Sequence, residues 1–341
     1  MYYTGCDVHD KITQLQHMDA DGSLGLFMEV ATSKEGFSQF LDKLDAPTII
    51  TLEASGQYWW LSQFLESHPK VKQVNVVDPR RCRKLSEELS VVCGYGRAKN
   101  DRIDAEMQAE LSRRGLAPTI HVPTPEQLRD RTLNRHRFSL VGQRTRIIRQ
   151  IQGLLKMLGI SISISKLIND PRSQKQVLEA LPDYALLIVL NLLTQISVVE
   201  KQIEKTETML DEVLPLSNPQ IEILISHPGI ATVLSRTIKT EILDIKYFAA
   251  YKYLVSYSGL APIIQESAGK KSTIKLNRFC NYYLKYAFIA AAHGARYHPR
   301  YKRKYEQDEK KHGPIIAKLN LARRIAKTIY WMLTRQQPFT E

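Results

Sequence analysis

The chain has 341 residues, 43% of them hydrophobic and 24% charged, with a formal net charge of +13. That length suggests two or three structural units, each able to bury a core, and the basic balance calls for anionic partners, nucleic acid foremost. No stretch reaches about 18 uncharged apolar residues, and the start Met1-Tyr-Tyr-Thr-Gly-Cys-Asp7 lacks a signal-peptide pattern, so membrane spans are not expected and the cytoplasm is the expected location.

In chain order, Tyr2 to His9 and Ile12 to Met18 read as strands, and the turn Asp19-Ala-Asp-Gly22 leads to a third at Leu24 to Val30. Helical patterns at about Glu35 to Leu44 and Ser55 to His68 flank a strand at Thr48 to Leu52. A short buried strand, Val71 to Val77, precedes a helix from Pro79 to Leu89. The first three strands make a meander, and the whole order fits a mixed α/β sheet of the ribonuclease-H-like kind. Pro118, Pro123 and Pro125 mark a linker. Beyond them Pro125 to Leu158 and Asp183 to Leu214 carry long helical periodicities, each about 45 Å if about 30 residues rise 1.5 Å apiece. The first is Arg-rich, through Arg129, Arg131, Arg135, Arg137, Arg144, Arg146 and Arg149, as suits either a solvated spacer or a phosphate-facing surface. From about Asn218 onward the pattern is almost wholly helical. It begins with His227-Pro-Gly-Ile230, which reads either as an ordinary turn or as the hairpin of a helix-hairpin-helix element. It ends in a basic stretch, Lys285 to Arg335, interleaved with Tyr286, Tyr297, Tyr301 and Tyr305. The division is therefore 1–117 for an α/β domain, 118–216 for a helical coiled-coil or linker region, and 217–341 for a helical domain. Cys6, Cys82, Cys93 and Cys280 are scattered and support neither a zinc site nor a disulfide framework.

Four acids stand out. Asp7 lies mid-strand in an apolar run, where an unpaired carboxylate is costly to bury and calls for a cation. Glu53 closes the strand Thr48-Ile-Ile-Thr-Leu-Glu and meets Asp7 if the two strands are neighbours. Asp101 and Asp104, in Lys99-Asn-Asp-Arg-Ile-Asp-Ala105, are one helical turn apart and face the same way. Hard divalent cations need such converging oxygen ligands for phosphodiester chemistry. Taken singly, each acid is equally at home as a turn, cap or helix-entry residue, with Arg97, Lys99 and Arg102 as ordinary partners.

Together with Gly5-Cys-Asp7-Val, Leu52-Glu53-Ala-Ser-Gly-Gln-Tyr58, Ala98-Lys-Asn-Asp101-Arg-Ile-Asp104-Ala, His227-Pro-Gly-Ile230, Ser258-Gly-Leu-Ala-Pro262 and Ser267-Ala-Gly-Lys270, these acids make the chain resemble transposases of insertion sequence family 110, over about residues 3 to 335. The resemblance implies a DEDD carboxylate set in a RuvC-like domain, with Asp7, Glu53, Asp101 and Asp104 as ligands of Mg²⁺ or, as a substitute, Mn²⁺. It also implies Ser267 as the nucleophile that links transiently to DNA, an oligomer (dimer or tetramer), and a noncoding guide RNA that pairs with double-stranded donor and target DNA. The residues themselves leave Ser272, Thr273, Tyr282 and Tyr283 as other nucleophiles. Because Ser267 and the acids fall in different expected domains, the favoured arrangement shares them across an oligomer joined by the long helices. A structure-specific nuclease such as a junction resolvase needs the acids but no covalent serine, a site-specific invertase is close to the favoured reading, and a non-catalytic nucleic-acid-binding protein needs neither.

Overall fold

Alternating side chains in the first thirty positions give three consecutive antiparallel strands, β1 (Tyr2–Val8), β2 (Ile12–Met18) and β3 (Leu24–Ala31). The computed structural model describes residues 1–93, 100–263, 275–276 and 279–340; its first compact unit is Met1–Pro123 and its second Thr124–Glu341. In the first, α1 (Lys34–Asp42) leads to β4 (Thr48–Glu53), α2 (Tyr58–Glu66) and β5 (Val71–Val77), and α3 (Pro79–Val92) and α4 (Asp101–Arg113) follow. The five strands lie in the order β3-β2-β1-β4-β5, with β4 parallel to both β1 and β5. This mixed sheet is compatible with a RuvC-like domain.

Both faces of the sheet are covered, as parallel strands require. On one, Cys6, Leu15, Ile50 and Leu52 pack with Phe37 and Phe40 of α1 and Leu61 and Leu65 of α2. On the other, Cys82 and Leu89 of α3 join Met107 and Leu111 of α4 against Val77. Local chemistry sets where these last two helices begin. Asp78 Oδ1 accepts hydrogen bonds from the Arg80 and Arg81 N–H groups, both at 3.0 Å, with Pro79 in the first turn of α3. The Asn100 side chain accepts from the Ile103 N–H at 2.8 Å and starts α4 at Asp101.

The second unit opens with α5 (Pro125–Met157), whose Thr124 and Gln127 cap each other reciprocally. Short helices α6 (Ile164–Asn169) and α7 (Pro171–Glu179) lead to α8 (Asp183–Val213). Arg137 donates to Glu207 at 2.7 Å and Arg144 lies 3.9 Å from Glu200, so numbers rise along one long helix as they fall along the other. The two are an antiparallel pair within one chain, held by Leu140, Ile147, Ile151 and Leu155 against Val189, Ile196, Val199 and Ile203. A coiled coil in the strict sense is not what this pairing demonstrates. The Arg-rich face also resolves: Arg129, Arg131, Arg135, Arg137 and Arg144 all meet acids, while Arg146 and Arg149 stay exposed. Glu241, whose side chain is fully buried, takes both Arg135 nitrogens at 2.7 Å and the Asn281 amide at 2.7 Å. Among the described residues, α8 is the one helix long and apolar enough to cross a membrane.

The chain continues through α9 (Pro219–Ile225), α10 (Thr232–Ile242), a 3-10 turn at Ile245–Tyr247, α11 (Tyr251–Tyr257), the two-residue strands β6 (Pro262–Ile263) and β7 (Lys275–Leu276), α12 (Tyr282–Ala295), α13 (Pro299–His312) and α14 (Pro314–Arg335). The turn between α9 and α10 holds Gly229 at φ +88, and a Cβ there would stand 2.5 Å from the Ala291 carbonyl oxygen of α12. Helix packing alone therefore requires that glycine. Of the tyrosines in the basic tail, Tyr301 and Tyr305 are core residues, whereas Tyr286 and Tyr297 are exposed.

His227 is 1% exposed, and its Nε2 lies 2.9 Å from the Tyr301 hydroxyl. Burial pushes its pKa down from 6.5 to about 4. The unfolded chain therefore takes up this proton below pH 6.5 while the folded chain stays neutral until about pH 4. The stability that depends on neutral His227 is whole above pH 6.5 and lost as pH falls towards 4, by about 3 kcal/mol. Denaturant unfolding should show the native protein losing about that much more than His227→Phe between pH 7 and 4, whereas parallel curves would show that the imidazole does not govern this window.

Candidate metal centre

The site is built where β1 and β4 end side by side. Cys6 pairs with Leu52 in the parallel register, so Asp7 and Glu53 follow at the carboxyl ends of adjacent central strands, where open α/β sheets present functional groups. Cys6 points into the core shared with α1 and α2, so Gly5 and Asp7 face the opposite side, towards α4.

The approach of α4 to that side is unusually close. A Cβ on Gly5 would lie 1.8 Å from the Ala105 carbonyl oxygen and 2.7 Å from the Ala109 nitrogen. The absence of a side chain at position 5 thus lets the backbone of α4 rest on β1, which brings Asp101 and Asp104, in the first turn of the same helix, to the strand ends. Gln108 reinforces the contact. It is 2% exposed, and its amide, oriented to satisfy both bonds, donates to the Cys6 and Thr51 carbonyls at 2.8 and 3.0 Å, clasping β1 to β4 just before the two acids.

Asp7, Glu53, Asp101 and Asp104 line one cleft of about 830 Å³. On its wall, His9 Nε2 sits 3.2 Å from Asp7 Oδ2 and 3.5 Å from Asp101 Oδ2. Asp7, His9 and Asp101 can each offer a ligand atom, all within 4.8 Å of one another. Burial raises the Asp7 carboxyl above its usual range; His9 pulls it back, and the charges of Asp101 and Asp104 raise it again. A half-buried carboxylate pressed by two like charges is a place where a cation lowers the energy. Beside Glu53, the Cys82 thiol is pushed up to about 12, first by burial and then by the Glu53 charge. The donor set is carboxylate oxygen with one imidazole nitrogen, which fits a divalent cation.

The structure brings the four sequence-predicted acids to one cleft. Ser267, with the other candidates Ser272 and Thr273, lies outside the described residues. Tyr282 and Tyr283 stand at the start of α12, where both rings pack edge-on against Phe138. Sequence reasoning missed His9 and Gln108, and gave Gly5 no role beyond its place in a matching motif. The signal for His9 was present in Asp7-Val-His9, because residues two apart at a strand end share a face.

Residues 4–160 match the DEDD transposase family of IS110, described as "Transposase", and residues 221–306 match the "Transposase IS116/IS110/IS902 family". The chain belongs to the IS110 family of transposases. It is 28% identical over 261 residues to the transposase for insertion sequence element IS1111A of Coxiella burnetii, covering 71% of this chain and 68% of that one. It is 30% identical over 184 residues to the transposase for insertion sequence element IS1328 of Yersinia enterocolitica, covering 52% of each. Matches to curated relatives thus span from about half to two thirds of their lengths. In this IS110-family chain the first match takes in the whole acid cleft, and the second covers the segment that contains Ser267.

Proposed function

We propose that the protein is a transposase, a site-specific DNA recombinase that cuts and rejoins double-stranded donor and target DNA in the cytoplasm. The observation that supports this most strongly is the convergence of Asp7, Glu53, Asp101 and Asp104 on one cleft. These four would hold the divalent cation, Mg²⁺ with Mn²⁺ as a substitute, with the His9 imidazole beside Asp7 and Asp101 as a further donor. When bound, the ion supplies Lewis-acid activation of the phosphodiester and stabilises charge on the departing oxygen. Ser267 is the nucleophile: its Oγ–P bond forms as the P–O3′ bond breaks, and the hydroxyl proton passes overall to the departing 3′ oxygen. Rejoining reverses the step with a new 3′ hydroxyl.

The net charge of +13 and membership of the IS110 family support a noncoding guide RNA as the source of target choice, since base pairing then carries the sequence specificity. Exposed Tyr184, Leu187, Leu190 and Val198 on α8 support a homo-oligomer, because apolar side chains grouped along one helix mark a contact surface.

A covalent serine separates this reading from a structure-specific nuclease, which needs the acid cleft alone. With element-end DNA and Mg²⁺, a protein–DNA adduct should survive denaturing electrophoresis and vanish in Ser267→Ala. Metal-dependent nicking with no adduct in either protein would favour the nuclease.

A further inference from the structure

The carboxylate cleft has a second wall. Helix α3 presents Arg80 and Arg83 to the cleft that Asp7 and the first turn of α4 also line, three residues apart and therefore on one helix face. We propose that these two arginines grip the phosphate backbone of the DNA strand seated in the cleft, next to the phosphate that reacts. The inference rests on the reading of the cleft as a phosphodiester-cutting site and adds the residues that seat the strand.

Charge balance motivates it. The four proposed ligands carry four negative charges, which two divalent ions only neutralise and one ion leaves half uncompensated, and Glu87 adds a fifth carboxylate to the cleft. The phosphates of a bound strand then need positive charge from elsewhere on the cleft wall. Arginine suits the task, since its planar fork meets phosphate oxygens in pairs.

The geometry of α3 supports it further. Asp78 fixes the first turn by accepting from the Arg80 and Arg81 N–H groups, so Arg80 projects from an anchored backbone. Arg83 engages Glu87 at 2.9 Å, with the two side chains 70% and 65% exposed. A pair so open to water is weak and screened by salt, and an incoming phosphate can displace Glu87 from it. Arg83 is therefore held over the cleft without being locked away from a substrate.

The test uses the full chain, a fluorescently labelled DNA duplex in Ca²⁺, and Mn²⁺ alone as a separate probe of the carboxylates. Each phosphate contact contributes about 0.9 to the slope of log affinity against log salt for duplex DNA. Arg80→Gln and Arg83→Gln should each lower the slope by about that amount and the double variant by about twice it, with Mn²⁺ affinity unchanged. Arg80→Lys with Arg83→Lys, which keeps both charges, should restore the slope. An unchanged slope in the double variant with intact Mn²⁺ binding overturns the role given to the arginines and leaves the carboxylate reading standing. A change seen with an RNA duplex but not with DNA overturns the assignment to DNA. Failure of the native chain to bind Mn²⁺ removes the reading on which the inference rests.

Discussion

Asp104→Asn should lower metal-dependent DNA cleavage by roughly 10²-fold or more, while nucleic-acid affinity and thermal stability stay close to native. The change keeps size and hydrogen-bonding capacity and removes one negative charge, so repulsion of DNA does not increase. Changing a residue that merely supports a metal ligand costs about 10–100-fold in affinity or activity, and Asp104 is proposed to be a ligand itself. The competing view makes Asp101 and Asp104 ordinary acids at a helix start, favoured there by the helix dipole at about 0.3–1 kcal/mol. On that view Asp104→Asn is slightly destabilising and leaves cleavage unchanged. Side-by-side assay of nicking, binding and melting distinguishes the two, because the metal reading moves only the first.

Gly5→Val should act on both stability and cleavage. A Cβ at position 5 would stand 1.8 Å from the Ala105 carbonyl oxygen, and the obstruction is helix backbone that has no rotamer to escape into. The helix must lift from β1, with loss of the close packing around Met107 and Leu111 and of the Gln108 bridge to the Cys6 and Thr51 carbonyls. Overpacking of this kind costs about 1–3 kcal/mol and occasionally more. Because Asp101 and Asp104 ride on that helix, the same displacement draws them from Asp7, so Mn²⁺ affinity should fall together with the urea midpoint. Native Mn²⁺ affinity in a folded Gly5→Val protein would show that the approach of α4 does not set the carboxylate geometry.

Much of this was legible in the sequence. The strand meander, the later parallel strands and both long helices announce themselves by periodicity, since a two-residue alternation and a 3.6-residue repeat are properties of the local chain. The convergence of Asp7 with Glu53 was readable only as a conditional, because strand order decides it, and the chain from Val8 to Thr48 says nothing direct about which strand lies beside β1. Gly5 was legible only as part of the Gly5-Cys-Asp7-Val match, since its packing role comes from a helix a hundred positions later. The arginines of α5 illustrate the opposite error. Their density suggested a phosphate-facing surface, but Glu241, Glu207 and Glu200 are distant in sequence, and only the fold brings them to Arg135, Arg137 and Arg144. Tyr301 and Tyr305, interleaved with basic residues in the sequence, are core side chains, because burial cannot be read from their basic neighbours.

The most direct test is crystallographic: anomalous scattering from crystals of the full chain soaked in Mn²⁺. The expected result is a strong peak bounded by Asp7 and Asp101, with Glu53 and Asp104 turned towards it, that disappears in crystals of Asp7→Asn. No peak in that cleft at saturating Mn²⁺, or a peak that survives Asp7→Asn unchanged, would contradict the claim that these carboxylates form a metal site.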